Sequence, residues 1–126
     1  MNCPKCQSRM EQIGFEGIEV DRCTGCQGLW FDALEDRELR GRKGAEKIDT
    51  GSRKTGEKHD GNGKIRCPRD GAGMVRMVDR EQPHIWYESC SACFGTFFDA
   101  GEFRDLKKRT IGDLFRRVRK GERPLS

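Results

Sequence analysis

The sequence has few apolar residues, and they are nowhere gathered into a long run. Hydrophobic residues make up 33% of the 126 positions and charged residues 37%, against roughly 25% charged in an ordinary globular protein. No apolar stretch approaches the roughly 20 residues that a membrane-spanning helix needs. The composition therefore excludes a membrane span and argues against a large hydrophobic core.

We expect the chain to carry no signal peptide. Met1 lies two positions before Cys3, the first residue of a cysteine motif, which leaves no room for a signal peptide. We therefore expect a cytoplasmic location, where reducing conditions favour metal-bound thiolates over structural disulfides. On that expectation, the seven cysteines are candidate metal ligands.

A two-cysteine motif that runs into an aromatic segment occurs twice. The first copy reads CTGCQGLWFDALE over residues 23–35, and the second reads CSACFGTFFDAGE over residues 90–102. Upstream of them lie the turns CPKC (residues 3–6) and CPRD (residues 67–70). Each repeat is about 40 residues long, a size at which a domain usually needs a metal, disulfides or a partner to fold. The one departure from the repeat is Asp70, which stands where a fourth cysteine would be.

The first set of cysteines, Cys3, Cys6, Cys23 and Cys26, has the spacing of a zinc site. Two C-x-x-C turns joined by a hairpin present four thiolates in the tetrahedral arrangement that zinc prefers. Such a site binds its metal with about 10–16 kcal/mol, enough to fold the unit. The alternatives are a disulfide or redox dithiol and a rubredoxin-like iron site. Four protein ligands leave no open coordination position, so we predict a structural site.

The second set of candidate ligands is Cys67, Asp70, Cys90 and Cys93, and three interpretations remain open. Asp70 is the fourth zinc ligand, since a carboxylate oxygen binds zinc at about 2.0–2.2 Å. Alternatively, three cysteines and a water hold the metal while Asp70 orients the water, or no metal binds stably. His84 is a possible substitute ligand, although a strand-surface histidine is the simpler interpretation. Only the water-bound arrangement offers enzymatic chemistry, as a metal-dependent hydrolase, and we predict that the protein is not an enzyme.

The predicted fold class is a small metal-stabilised α+β structure with two zinc ribbons. Each ribbon is a three-stranded antiparallel hairpin with two knuckles, followed by a short helix, and a flexible linker joins the two. The predicted divisions are ribbon 1 with its helix (1–41), a Gly/Lys-rich linker (42–65), ribbon 2 with its helix (66–109) and a basic amphipathic helix and tail (110–126).

Local signals place the first helix and the aromatic pairs. Asp32 is predicted to cap the N-terminus of the helix that follows the first cysteine repeat, with Glu35 in a capping-box position. Gly41 is predicted to end this helix near Arg40. The pairs Trp30-Phe31 and Phe97-Phe98 allow base stacking, but alternation along a strand favours packing between ribbon and helix.

These motifs resemble a bacterial and archaeal family of predicted zinc-finger proteins named for the zinc ribbon of transcription factor IIB. The resemblance covers residues 3 to about 39 well, and residues 67 to about 106 with the departure at Asp70. It implies a zinc-ribbon fold, two zinc ions, ligands at the seven cysteines, and a role in nucleic-acid binding or transcription. Zinc ribbons also serve as protein-binding modules, so the resemblance specifies the fold better than the function.

The positive charge is unevenly distributed. Counting the zinc-bound thiolates lowers the formal net charge of +4 to about +1. Residues 1–40 hold five basic and eight acidic side chains, whereas residues 99–126 hold nine basic and five acidic ones. We therefore predict contact with nucleic acid, or with a nucleic-acid-associated complex, through the C-terminal part of the chain. The candidate contact residues are Lys107, Lys108, Arg109, Arg116, Arg117, Arg119 and Lys120.

The alternative function is a protein-binding adaptor without direct nucleic-acid contact. Ile111, Leu114, Phe115 and Val118 form one apolar stripe on the predicted C-terminal helix. A helix this short is marginal by itself, so the stripe needs a surface to pack on. That surface is a ribbon, a second copy of the chain in a homodimer, or a heteromeric partner.

Overall fold

Six strands form one antiparallel sheet in the computed structural model, which describes residues 1–52, 54, 65–79 and 85–107. The strands are β1 (Met10–Phe15), β2 (Ile18–Cys23), β3 (Leu29–Phe31), β4 (Met74–Val78), β5 (Trp86–Cys90) and β6 (Thr96–Phe98). Helix α1 (Glu35–Arg40) follows β3, and a 3₁₀ helix (Ala45–Ile48) follows α1. Residues 102–107, called α2 below, are also helical. Among the described residues, no helix is long and apolar enough to cross a membrane.

The two halves of the sheet have the same strand arrangement. In the N-terminal unit (residues 1–49), β2 pairs antiparallel with both β1 and β3. In the C-terminal unit (residues 65–107), β5 pairs antiparallel with both β4 and β6. Each unit thus contributes three antiparallel strands to the sheet.

The two units join edge to edge through β3 and β6. The strand order is β1-β2-β3-β6-β5-β4, and β3 runs antiparallel to β6. Trp30 lies opposite Phe97 in this register, and the two residues hold the same position in the sequence repeat. An approximate twofold axis therefore passes between them. The repeat in the sequence did not specify this relative placement of the units.

Both repeated aromatic pairs are buried, which confirms the predicted core role. Trp30, Phe31, Phe97 and Phe98 all have 0% exposure. Strand alternation sends Phe31 and Phe98 to one face, with Val20 and Leu39 in the larger core. Trp30 and Phe97 lie on the other face among the cysteines. None of these rings is available to stack on a nucleic-acid base.

The first part of the predicted flexible linker is packed, contrary to the prediction. Ala45 and Ile48 are buried in the larger core. The carboxylate of Asp49, 2% exposed, accepts hydrogen bonds from the backbone N–H groups of Gly101 and Arg104, each at 2.9 Å. Asp49 thus satisfies free amides at the start of α2, a role that depends on a contact over 50 positions away. Residues 53 and 55–64 of the predicted linker lie outside the described residues.

The start of α1 also differs from the prediction. The helix begins at Glu35, preceded by Leu34 with φ +69° and no side-chain cap. The Glu35 carboxylate does accept a hydrogen bond from the Asp32 N–H at 2.9 Å, as half of a capping box. The Asp32 carboxylate instead accepts hydrogen bonds from Trp30 Nε1 and from Arg69 Nε, both at 3.0 Å, so a nearby strand residue and a residue of the other unit occupy the predicted cap. The helix ends at Arg40, as predicted.

Candidate metal centres

Four tight turns present the candidate ligands, and they share one backbone geometry. In each turn, the residue after the second ligand donates its N–H to the carbonyl of the first ligand, at 2.9–3.1 Å. That residue has a left-handed φ in every case: Gln7 (+66°), Gln27 (+62°), Gly71 (+77°) and Phe94 (+63°). Asp70 therefore occupies the same backbone position as a knuckle cysteine.

Backbone amides in these turns point at sulfur. The N–H of Lys5 donates to Cys3 Sγ at 3.4 Å, and the N–H of Arg69 donates to Cys67 Sγ at 3.3 Å. Cys23 and Cys90 each receive two such bonds, from the residues that follow them in their own turns. These amides stabilise negative charge on sulfur, as a thiolate ligand requires.

The first centre brings together all four predicted cysteines. Their sulfur atoms lie within 4.8 Å of one another. Cys3 Sγ is 3.7 Å from Cys26 Sγ, and Cys6 Sγ is 3.3 Å from Cys23 Sγ. A tetrahedral ion with Zn–S bonds of about 2.3 Å requires sulfur atoms about 3.8 Å apart. The four thiols therefore fit a zinc ion, and the first site binds zinc.

The thiol pKa values show why a cation is needed to ionise all four sulfurs. The hydrogen bond with Cys3 lowers the pKa of Cys26 to about 5, while burial raises the pKa of Cys23 to about 11. Without a cation, adjacent buried thiols share protons and cannot all carry charge. Zinc binding releases those protons because thiolates, not thiols, are its ligands.

The second centre consists of Cys67, Asp70, Cys90 and Cys93, again with ligand atoms within 4.8 Å of one another. Both Asp70 carboxylate oxygens lie 3.5 Å from Cys90 Sγ, and Cys67 Sγ is 3.7 Å from Cys93 Sγ. The N–H of Ala72 donates to Asp70 Oδ1 at 2.9 Å and lowers the pKa of that carboxyl. Three thiols and a carboxylate are a donor set that zinc accepts, and the second site also fits zinc. His84 lies outside the described residues.

The two centres differ in exposure. Cys3, Cys23 and Cys26 are 0–2% exposed. In the second centre, Asp70 is exposed and Cys93 is intermediate. Water therefore reaches the second centre more easily than the first.

Sequence reasoning missed two basic residues beside the centres, Lys5 and Arg69. Lys5 Nζ lies 2.8 Å from Asp99 Oδ2 and 2.7 Å from Glu88 Oε1, in the other unit. An Arg69 Nη2 atom lies 3.0 Å from Asp32 Oδ2 and 3.3 Å from Asp21 Oδ2. The available signal was a basic residue at the third position of both upstream turns. The acidic partners of Lys5 and Arg69 could not be predicted from the sequence, because they belong to the opposite repeat.

Lys107 is wrongly assigned as a nucleic-acid contact. It is 3% exposed, and its ammonium donates to the carbonyl of Arg40 at 3.0 Å and to the carbonyl of Arg42. The lysine satisfies free carbonyls at the end of α1, a common role for a cation at a helix C-terminus. The other predicted contacts, Lys108, Arg109, Arg116, Arg117, Arg119 and Lys120, lie outside the described residues.

Two thiolate-rich zinc sites on a small antiparallel sheet define a metal-stabilised α+β protein. Residues 2–37 match the model of a family described as "Transcription factor zinc-finger", which supports the predicted resemblance for the N-terminal unit. The match does not extend to the C-terminal unit. No curated protein and no solved structure in the comparisons matches the chain.

Proposed function

We propose that the protein binds nucleic acid, or a nucleic-acid-associated protein complex, through the basic residues that follow α2. The name of the matched family suggests a transcription-related role. The contact residues we propose are Lys108, Arg109, Arg116, Arg117, Arg119 and Lys120. In this proposal both zinc sites are structural, and the C-terminal unit is a second copy of the same ribbon.

The observation that carries the proposal is that several basic side chains of the described residues already lie against a carboxylate. Lys5, Arg22, Arg40, Arg42 and Arg69 each lie within 4.0 Å of a carboxylate oxygen. A cation already neutralised by a carboxylate adds little attraction for phosphate. The N-terminal unit also has a net negative charge. Four thiolates bound to one Zn²⁺ add two further negative charges to it. The basic C-terminal segment is therefore the best source of phosphate contacts.

We also propose that the protein has no catalytic activity of its own. Four cysteine ligands fill the coordination sphere of the first zinc and leave no position for substrate. At the second site, the carboxylate of Asp70 lies where the fourth ligand belongs. Replacing zinc with Co²⁺ tests the absence of an open site. A coordination position occupied by water changes the ligand-field spectrum of Co²⁺ from that of a closed tetrahedral site. A spectrum typical of bound, exchangeable water would contradict the proposal.

The salt dependence of binding tests the nucleic-acid proposal. Zinc-loaded full-length protein is titrated with duplex DNA and with single-stranded RNA over a range of salt concentrations. Replacing Arg116, Arg117, Arg119 and Lys120 with glutamine should weaken binding. It should also lower the salt slope by about 0.7–0.9 for each phosphate that the variant no longer neutralises.

Set against the double variant Arg116→Gln with Arg117→Gln, the charge-matched control is Arg9→Gln with Lys43→Gln, two exposed basic residues outside the C-terminal segment. We expect the control to bind nearly as tightly as the wild type. Unchanged affinity in the C-terminal variant would overturn the proposal. Absence of binding to either nucleic acid at low salt would favour the protein-binding adaptor instead.

A further inference from the structure

Among the described residues, nothing fills a groove on the C-terminal unit, whereas the equivalent face of the N-terminal unit is covered. This α1 groove is lined by Leu34, which precedes α1, by Arg37 of α1, and by Met77, Tyr87, Phe94 and Thr96. At its rim, Leu34 is 64% exposed, Phe94 is 68% exposed and Met77 is 41% exposed. Three large apolar side chains at one exposed site are typical of a docking surface.

The twofold relation between the units identifies the counterpart. Met77, Tyr87 and Thr96 hold the same positions in the C-terminal unit as Ile13, Val20 and Leu29 hold in the N-terminal unit. That equivalent face is covered by the 3₁₀ helix after α1. The buried side chains of Ala45 and Ile48 belong to the same apolar cluster as Val20 and Leu29.

Polar groups in the two places also correspond. Arg22 Nη1 donates to the carbonyl of Ile48 at 3.2 Å and so holds the 3₁₀ helix on the sheet. The residue equivalent to Arg22 is Ser89, which also lines the α1 groove. Beside it, Thr96 is only 7% exposed, and its Oγ1 has no hydrogen-bond partner in the part of the chain that the structure describes. A buried hydroxyl without a partner is costly, so the α1 groove offers a hydrogen bond to an incoming backbone.

The chain itself leads toward this groove. Lys107 is the last described residue of α2, and its ammonium binds the carbonyl of Arg40, which also lines the groove. In the N-terminal unit, Ala45 and Ile48 follow Arg40 by five and eight positions. Gly112 and Phe115 follow Lys107 by the same five and eight positions. The spacing of one small and one large apolar residue is therefore repeated after the second helix.

We propose that residues 111–115 of the same chain dock in the α1 groove, with Phe115 in the place that Ile48 takes in the N-terminal unit. Intramolecular docking is favoured because the short connection to Lys107 gives the segment a high effective concentration. The proposal does not depend on nucleic-acid binding, and its test contains no nucleic acid.

The experiment uses the zinc-loaded full-length chain with isotope-labelled methyl groups and aromatic rings. We expect nuclear Overhauser effects between the Phe115 ring and the methyl groups of Met77 and Thr96, unchanged on tenfold dilution. Absence of these effects would overturn the proposal. Effects that appear only between differently labelled chains in a mixed sample would also overturn it, since the occupant would then be a second copy.

Three variants separate docking from a general effect on folding. Phe115→Asp removes the ring that reports docking, so it is read by amide exchange alone, which should speed up along α1 by at least tenfold. Leu34→Gly removes a rim side chain without strain, because Leu34 has φ +69° and the equivalent Gly101 has φ +87°, and it should weaken docking. Leu125→Asp, near the chain end, should have no effect. If Phe115→Asp and Leu125→Asp behave alike, residues 111–115 do not occupy the groove.

Discussion

Lys5 and Asp99 form a buried ion pair between the two units, with Nζ 2.8 Å from Oδ2 across 94 positions of sequence. The side chains are 0% and 5% exposed. Lys5 belongs to the first metal turn and Asp99 follows the last strand, so the pair ties a zinc knuckle of one unit to the other. The twofold equivalent joins Arg69 to Asp32, and the two units thus hold each other reciprocally.

Replacing Lys5 with methionine should strongly destabilise the fold. The substitution keeps the length of the side chain but removes the buried cation that faces Asp99 and Glu88. Removing one partner from a buried ion pair typically costs about 3–5 kcal/mol. Urea unfolding of the zinc-loaded variant measures the change in the free energy of unfolding.

The matched control is Arg69→Met, the equivalent change in the other unit. The Arg69 side chain is 43% exposed, and exposed ion pairs typically contribute about 0–1 kcal/mol. We expect the two substitutions to differ clearly in the free energy of unfolding. Equal destabilisation would mean that burial of Lys5 does not decide the strength of its pairing.

The Lys5 pair should also show a defined pH dependence. Burial by itself lowers the pKa of Lys5, but attraction and hydrogen bonding from Asp99 and Glu88 outweigh it and raise the pKa above 10.5. A raised pKa in the folded state means that the contribution to stability is complete below pH 10.5 and is lost as the pH rises through the folded pKa. The difference in unfolding free energy between wild type and Lys5→Met should therefore stay constant near neutral pH and shrink only in strong alkali. A difference that already shrinks between about pH 7 and pH 9 would contradict this assignment.

Gly28 and Gly95 should not tolerate alanine, because each faces an aromatic ring of the opposite unit. A Cβ at Gly28 would clash with Phe97 Cζ, and a Cβ at Gly95 would clash with Trp30 Cζ2. Overpacking of this kind typically costs about 1–3 kcal/mol or more. Gly14→Ala is the control, since nothing lies within 4 Å of its Cβ. Thermal unfolding should show lower midpoints for the first two variants and little change for the third.

The second zinc should leave before the first when a chelator competes for metal. Asp70 of the second centre is exposed to solvent, whereas three cysteine ligands of the first centre are almost completely buried. Native mass spectrometry over time should show two zinc ions, then one. Asp70→Cys should slow zinc release from the second site, and Asp70→Ala should speed it or leave one zinc per chain. Simultaneous release of both ions from the wild type would show that exposure at Asp70 does not control exchange.

Local spacing was enough to predict both metal centres. Each ligand pair lies within a four-residue turn, and a short hairpin brings two turns together, so the geometry needs few distant contacts. Asp70 could be placed from the repeat alone because it takes the backbone position of a knuckle cysteine. The start of α1 could not be predicted from the sequence. Asp32 is a good cap by residue type, but its carboxylate binds Trp30 and Arg69 instead.

The amino-acid sequence by itself determined the cysteine ligands of the first site, the candidate ligands of the second and the burial of the aromatic pairs, since these follow from residue type and short-range periodicity. Only the tertiary structure decided that β3 and β6 join the repeats into one sheet, that Asp49 binds the start of α2, and that Lys107 is buried at the end of α1. These contacts join residues 52 to 69 positions apart. Such contacts follow from how two similar surfaces fit together, which no local pattern encodes.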